Sequence, residues 1–210
     1  MKENARPDDL VFGAHAVEGL LAGGTRLVAE VLVEAGHGRE LMHLLEVAQN
    51  RGIPIHTLTP EKARALAGGR AYQGIAARVK PYRYANPEHL FTALIDDPHG
   101  ILLLLDSVQD PQNLGSILRT AAFFDVKGIV LPQDRSVSVT PAVLRTSAGG
   151  AARVPVAQVT NLVRTVRSLQ ERGVFVAGAA AHGSKGLQDL PFAAPWPWSS
   201  GPRARACGAS

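Results

Sequence analysis

An uninterrupted apolar run at residues 101–105 (ILLLL) constrains the fold of this chain more than any other feature. A strand without polar residues is typical of a parallel sheet that is covered on both faces. Three more strand patterns follow, and helical patterns separate them. The strands are predicted at 127–131, 154–159 and 173–177, and the helices at 114–124, 141–147 and 161–172. We therefore expect an α/β fold with a mostly parallel sheet over residues 91–192.

The first 80 residues show a shorter alternation of the same two patterns. Helices are predicted at 14–21, 39–50 and 60–67, and strands at 27–33, 53–58 and 74–79. Pro60 in the first turn of one helix and Gly52 just past another are usual positions for these residues. The pattern predicts a small α/β domain over residues 8–80. Prolines interrupt the periodicity after it, which predicts a linker over residues 81–90.

Composition narrows the class of protein. The chain is 46% hydrophobic, which is enough to fill a core. It contains no apolar run of about 18 residues and no signal-peptide core, so we expect a cytoplasmic protein without a membrane partner. Cys207 is the single cysteine and the seven histidines lack ligand spacing, so no metal site is predicted. The net charge of +4 suits RNA but is also common among other enzymes.

Polar residues that could carry chemistry follow the 101–105 strand. The carboxyl ends of parallel strands are where open α/β sheets bind ligands. Taken alone, Asn113 is most simply a helix N-cap, and Asp110 a residue that fixes the loop by binding backbone amides. Arg119 is flanked by apolar helix positions, which suggests either a buried ion pair with Asp106 or Asp110 or a functional role. Gly149-Gly150 could allow close approach of a ligand or form a plain loop.

These residues also form a pattern. Asp106, Asp110-Pro111, Asn113, Gly115, Ile117 and Arg119-Thr120-Ala121 match, in order and spacing, the first signature motif of the SpoU/TrmH family. This family consists of RNA ribose 2′-O-methyltransferases of the SPOUT class. The resemblance extends over roughly residues 10–192. Residues 147–178, the VFGAHAVEGLL segment and the Gln73-Gly74-Ile75 triplet are similar to family enzymes that methylate a guanosine of 23S rRNA.

The resemblance implies a fold, a reaction and a site. Residues 8–80 would be an L30e-like domain that binds RNA, and the RNA would be 23S rRNA. Residues 91–192 would be a SPOUT domain with a trefoil knot that holds S-adenosylmethionine. Family members are homodimers. Asn113 and Arg119 would be catalytic, with Arg119 holding a phosphate, since its guanidinium is a poor proton acceptor. The remaining site residues implied are Gln73, Asp110 and Ser116 for RNA, and Gly178 and Ala179 for the cofactor. Taken alone, Gln73 is a polar residue at a strand end.

Residues 195–210 (PWPWSSGPRARACGAS) depart from the family pattern. If residues 194–208 are written in GC-rich codons and read from the third base, they give Pro-Val-Ala-Leu-Val-Leu-Gly-Thr-Glu-Gly-Glu-Gly-Met-Arg. This is similar to the family's missing second motif. We therefore expect a frameshift near codon 194, a truncated methyltransferase domain, an inactive product and impaired dimerisation. Two alternatives remain: a non-catalytic RNA-binding protein that uses only its L30e-like module, and a tRNA 2′-O-methyltransferase.

Overall fold

The computed structural model describes residues 9–22, 26–36, 38–69, 72–97, 99–179, 186 and 189. Two separate sheets occur in this part of the chain. The strands are β1 Leu10–Phe12, β2 Val28–Glu34, β3 Ile55–Leu58, β4 Ile75–Val79, β5 Leu102–Leu104, β6 Gly128–Pro132 and β7 Val156–Val159. The helices are α1 Ala14–Ala22, α2 Met42–Asn50, α3 Pro60–Ala67, α4 Pro87–Ile95, α5 Pro111–Phe123, α6 Pro141–Thr146, α7 Gly150–Arg153 and α8 Leu162–Glu171. The 195–210 tail and the expected knot lie outside these residues.

The first sheet has the strand order β1-β4-β2-β3. β2 and β3 run parallel, and β4 pairs antiparallel with both β1 and β2. Helices α1 and α2 cover one face, and α3 packs on the other. The α3 helix has the predicted bounds because Thr59 caps its start and Gly68 ends it in a left-handed conformation. The short strand β1 was not predicted.

The second sheet is parallel throughout, with the order β5-β6-β7. This confirms the predicted α/β fold with a parallel sheet. Helices α5, α6 and α7 pack on one face, and α4 and α8 on the other. The predicted cap of α8 is present, because the Asn161 side chain accepts a hydrogen bond from the Arg164 N–H at 2.9 Å. Because the three strands are parallel, their carboxyl ends lie at the same edge of the sheet.

Two predictions for this sheet were wrong. Residues 173–177 were expected to form a strand, yet they are irregular. A strand requires pairing with a neighbouring strand, and the described second sheet consists of β5, β6 and β7. The apolar run at 101–105 was expected to be buried on both faces, but Leu102–Leu104 is only half-buried and Ile101 is 52% exposed. The reason is that β5 lies at the edge of the described sheet and pairs only with β6.

The segment between the two sheets is fixed in place by its tyrosines. The Tyr82 hydroxyl accepts a hydrogen bond from the Val156 N–H at 3.2 Å, and the Tyr84 hydroxyl accepts one from the Val139 N–H at 2.9 Å. The two rings also pack edge to face, with centroids 5.2 Å apart. The tyrosines therefore attach the segment to the second sheet along its length.

The end of the predicted linker is helical. The sequence predicts that Pro87 interrupts regular structure, but Pro87 is the first residue of α4. The Asn86 side chain caps this helix by accepting a hydrogen bond from the Glu88 N–H at 3.0 Å. Proline suits this position because the first helical N–H has no partner within the helix. The structure therefore differs from a linker that extends to residue 90.

A close contact joins the two parts of the chain. A Cβ atom at Gly19 in α1 would lie 2.6 Å from the Ala148 carbonyl oxygen and 2.7 Å from the Gly149 nitrogen. The helix backbone therefore touches the turn between α6 and α7. One cluster of buried side chains extends across this contact and includes Val17 and Leu20 from α1 together with Leu118 and Leu144.

Within the described part of the chain, no helix is long and apolar enough to cross a membrane. The same residues contain no group of three side chains that could hold a metal ion.

Candidate active site

Helix α5 begins at the carboxyl edge of the parallel sheet. The loop after β5 leads to Asp110, whose carboxylate oxygen accepts a hydrogen bond from the Gln112 N–H at 3.0 Å. Asp110 is therefore the N-cap, Pro111 is the first helical residue, and Asn113 lies within the first turn. The interpretation of Asn113 as the cap was wrong, because Pro111 is the first helical residue and the cap therefore lies three residues earlier, at Asp110. The interpretation of Asp110 as a residue that binds backbone amides agrees with the structure.

One face of α5 presents three of the predicted site residues to solvent. Asn113, Ser116 and Arg119 follow one another at intervals of three, which places them in one stripe along about 9 Å of the helix axis. Asn113 and Arg119 are exposed, and Ser116 is half-buried. The opposite face is buried through Leu114 and Leu118. The structure therefore brings Asn113, Ser116 and Arg119 together on an accessible surface.

Arg119 has no ion pair with any described residue. The two aspartates expected as its partners are engaged elsewhere: Asp106 accepts a hydrogen bond from the Ser107 hydroxyl at 3.0 Å, and Asp110 caps the helix. The buried-pair interpretation of Arg119 was wrong, because this position points away from the core-facing side of α5. Its guanidinium donors are available to a ligand.

The backbone of α5 is held closely by the next two helices. A Cβ atom at Gly150 would lie 2.5 Å from the Leu118 carbonyl oxygen, and one at Gly115 would lie 2.5 Å from Cβ of Thr146. The Thr146 hydroxyl donates a hydrogen bond to Oε1 of Gln112 at 3.1 Å. Close approach of a ligand was one of two interpretations of Gly149-Gly150, whereas the contacts that the structure shows at these glycines are with the protein backbone. These contacts make α5 a rigid support for the stripe.

An open trough of about 430 Å³ lies between α5 and β5, which is at the edge of the sheet in the described part of the chain. It is almost entirely apolar, and only Ser116 and Thr120 contribute hydroxyl groups. Phe124, which lines one end, is 66% exposed. The lining residues are Ile101, Leu103, Ser116, Ile117, Thr120, Ala121, Phe124 and Val126. The trough therefore suits an apolar group better than a charged one.

The other predicted site residues lie away from the stripe. Gln73 has a left-handed backbone with φ of 47°, and its side-chain oxygen accepts a hydrogen bond from the Ala14 N–H at 3.2 Å. It therefore helps to start α1. Gly178 and Ala179 are exposed in the irregular segment after α8.

Sequence patterns missed a second loop at the same edge of the sheet. Residues 133–140 follow β6, and the Val137 N–H donates a hydrogen bond to the Val108 carbonyl oxygen at 2.8 Å. Val108 belongs to the loop that leads into α5. Arg135 lies in the 133–140 loop with φ of 63°. No glycine or asparagine marked this left-handed position in the sequence.

Two family models match consecutive parts of the chain. The model for RNA 2′-O ribose methyltransferase substrate binding matches residues 10–85, and the model for the SpoU rRNA Methylase family matches residues 100–202. An uncharacterized tRNA/rRNA methyltransferase of Mycobacterium ulcerans is 40% identical over 185 residues, covering 87% of this chain and 59% of that protein. A Mycobacterium bovis protein of the same description is 39% identical over 189 residues, again covering 59% of its length. The chain thus spans about three fifths of these relatives.

Solved structures show the same fold. An RNA methyltransferase of the TrmH family from Porphyromonas gingivalis superposes with a TM-score of 0.66 at 25% identity, covering 89% of this chain and 67% of that one. The SpoU methyltransferase AviRb from Streptomyces viridochromogenes gives 0.64 at 19% identity, covering 83% and 64%. An AdoMet-bound rRNA methyltransferase from Sinorhizobium meliloti gives 0.58 at 20% identity, covering 77% and 57%. Given these matches and the motif displayed on α5, the chain belongs to the SpoU family of RNA methyltransferases.

Proposed function

We propose that the activity to which this chain belongs by family is 2′-O-methylation of RNA, with S-adenosylmethionine as the methyl donor and a guanosine of 23S rRNA as the target. The observation that carries the proposal is the accessible stripe of Asn113, Ser116 and Arg119 on α5, a stripe whose first residue, Asn113, lies near the carboxyl edge of a parallel sheet. Ligands bind at this edge in open α/β folds. The AdoMet-bound rRNA methyltransferase among the solved structures supports both the donor and the class of RNA.

Arg119 is suited to hold a phosphate next to the reacting ribose. Its guanidinium is exposed and unpaired among the described residues, and a guanidinium can donate two parallel hydrogen bonds to an oxyanion. Asn113, one and a half turns closer to the helix start, can orient the nucleotide through its amide. Together they would position the 2′-hydroxyl, which is the main requirement when the donor supplies its own leaving group.

The described residues do not form a site for the donor itself. S-adenosylmethionine supplies a methyl group on a positively charged sulfur, and its amino-acid end is also charged. The trough next to α5 offers two hydroxyl groups and otherwise apolar side chains. Burying charges without partners is unfavourable, so this trough does not fit the donor. Backbone groups of Gly178 and Ala179 remain our proposal for a cofactor contact.

Binding to RNA tests the role of Arg119. The purified chain is titrated in filter-binding assays with 23S rRNA, 16S rRNA and total tRNA, and so are Arg119→Ala and the control Arg167→Gln. Arg167 is exposed on α8, on the opposite face of the sheet, so the control removes one charge away from the stripe. We expect preference for 23S rRNA and weaker binding only for Arg119→Ala. Equal binding by both variants would contradict the proposed role, and preference for tRNA would favour the tRNA alternative.

For the 210-residue chain itself, we propose that the methyltransferase activity is lost. Residues 195–210 lack the family's second motif in their own reading frame and resemble it in another. We therefore expect no S-adenosylmethionine binding by calorimetry and no homodimer by light scattering. RNA binding that residues 1–85 account for, with no donor binding and no dependence on Arg119, would favour the non-catalytic RNA-binding alternative for this product. Sequencing the gene around codon 194 tests the cause, because DNA without the alternative frame would contradict a frameshift.

A further inference from the structure

The loop after β6 lies beside the entrance to α5. The hydrogen bond from the Val137 N–H to the Val108 carbonyl oxygen, 2.8 Å long, ties the two loops together at the carboxyl edge of the sheet. Val108 precedes the N-cap Asp110 by two residues, and Arg135 precedes Val137 by two. Arg135 therefore belongs to the same edge as Asn113, although it lies on a different strand connection.

Arg135 has an unfavourable backbone conformation, and the side chain of its neighbour Ser136 has an unfavourable environment. The backbone of Arg135 is left-handed, with φ of 63°, a region that glycine and asparagine occupy far more readily than arginine. The Ser136 hydroxyl is buried and has no hydrogen-bond partner among the described residues. Strained backbone and unsatisfied polar groups concentrate at functional sites, where the surrounding structure holds them in place. Both features therefore suggest that this loop has a function.

The side chain of Arg135 is exposed and forms no ion pair or hydrogen bond with any residue that the structure describes. A surface arginine gains little from folding when it has no partner, so packing does not explain it. Its rigid fork of N–H donors matches the geometry of a phosphate group.

We propose that Arg135 binds a phosphate of the RNA substrate alongside Arg119. Arg135 would contact the RNA backbone from the loop after β6 and Arg119 from helix α5, so that the nucleotide is fixed in register over Asn113. This inference rests on the proposed function, and it assigns a substrate-binding role to a loop outside the α5 motif.

Two substitutions separate charge from backbone. Arg135→Asn removes the charge and suits the left-handed conformation, whereas Arg135→Lys keeps the charge at the strained position. Arg167→Gln is the control for loss of one charge on α8. Each protein is titrated with 23S rRNA at several salt concentrations, and its melting temperature is recorded.

We expect Arg135→Asn to bind roughly tenfold more weakly and its salt slope to fall by about 0.7 to 0.9, the value for one lost phosphate contact. Its melting temperature should stay the same or rise. Arg135→Lys should keep the salt slope, and Arg167→Gln should match the wild type. If Arg135 has only a structural role, Arg135→Asn should bind RNA as well as the wild type, and that result would overturn the inference. The proposed function would still stand in that case if RNA binding depends on Arg119. Absence of RNA binding by the wild type would overturn both.

Discussion

Replacing Gly19 by alanine tests the contact between the two parts of the chain. Gly19 lies inside α1, where alanine is intrinsically better than glycine by about 1 kcal/mol. In an isolated helix the substitution would therefore stabilise. Here the new Cβ would lie 2.6 Å from both the carbonyl carbon and the oxygen of Ala148, and 2.7 Å from the Gly149 nitrogen. All three are backbone atoms, so no side-chain rotation can relieve the clash.

Whether Gly19→Ala lowers or raises the stability of the protein shows whether α1 contacts the turn between α6 and α7. Overpacking of a close-packed contact costs about 1 to 3 kcal/mol, and three contacts with backbone atoms place Gly19 in the upper part of that range, at about 2 to 3 kcal/mol. Subtracting the gain of about 1 kcal/mol in helix propensity leaves a net loss of about 1 to 2 kcal/mol. Since 1 kcal/mol corresponds to about 2 to 4 °C for a chain of this size, the melting temperature should fall by about 2 to 8 °C. The control is His15→Ala in the same helix, because His15 is 95% exposed and makes no contact across this junction.

Differential scanning calorimetry provides the measurement, with circular dichroism confirming that both variants fold. Stabilisation of Gly19→Ala by about 1 kcal/mol would refute the reasoning, since that is the effect of propensity alone. It would mean that α1 does not rest on the turn between α6 and α7 in solution.

Three further predictions concern single groups. Asp110→Ala should lower stability by about 1 kcal/mol in urea titrations because α5 loses its cap, whereas Asp110→Asn should retain most of it. Tyr84→Phe leaves the Val139 N–H without its partner and should cost about 1 to 2 kcal/mol in the same assay, and an unchanged midpoint would contradict the hydrogen bond. Burial raises the pKa of Tyr72 to about 12, above its usual value of about 10, so its stabilising contribution is complete below pH 10 and is lost as the pH rises through 12. The free energy of unfolding of Tyr72→Phe should therefore fall less steeply between pH 10 and pH 12 than that of the wild type, as measured by chemical denaturation at each pH.

Strong local signals made much of the fold predictable. The bounds of α3 follow from a threonine cap, a proline at the first position and a glycine at the end. The α4 helix was missed because Pro87 has the same appearance in a sequence whether it ends periodicity or begins a helix. The three-residue strand β1 is too short to show a period of two. Residues 173–177 have strand-forming side chains, but a strand also depends on a neighbour that local sequence does not specify.

For the candidate site, the motif predicted a set of functional residues, and the structure corrected how these residues are arranged. Asn113 and Arg119 were assigned to one helix, but the cap belongs to Asp110 and Arg119 is exposed. Burial of a helix face depends on which elements pack against it, and this cannot be derived from the helix alone. Arg135 was not predictable because its conformation is imposed by the loop that surrounds it.

The continuous core across the junction has a consequence for cooperativity. Since Val17 and Leu20 of α1 pack in the same cluster as Leu118 and Leu144, neither sheet can open without exposing side chains that the other one covers. Slow amide hydrogen exchange should therefore report similar opening free energies for β2 and β6, and heat should unfold the two sheets in a single transition with equal calorimetric and van't Hoff enthalpies. A fragment that ends near residue 85 would lose this shared core, so the first sheet and its helices depend on the second half of the chain for stability.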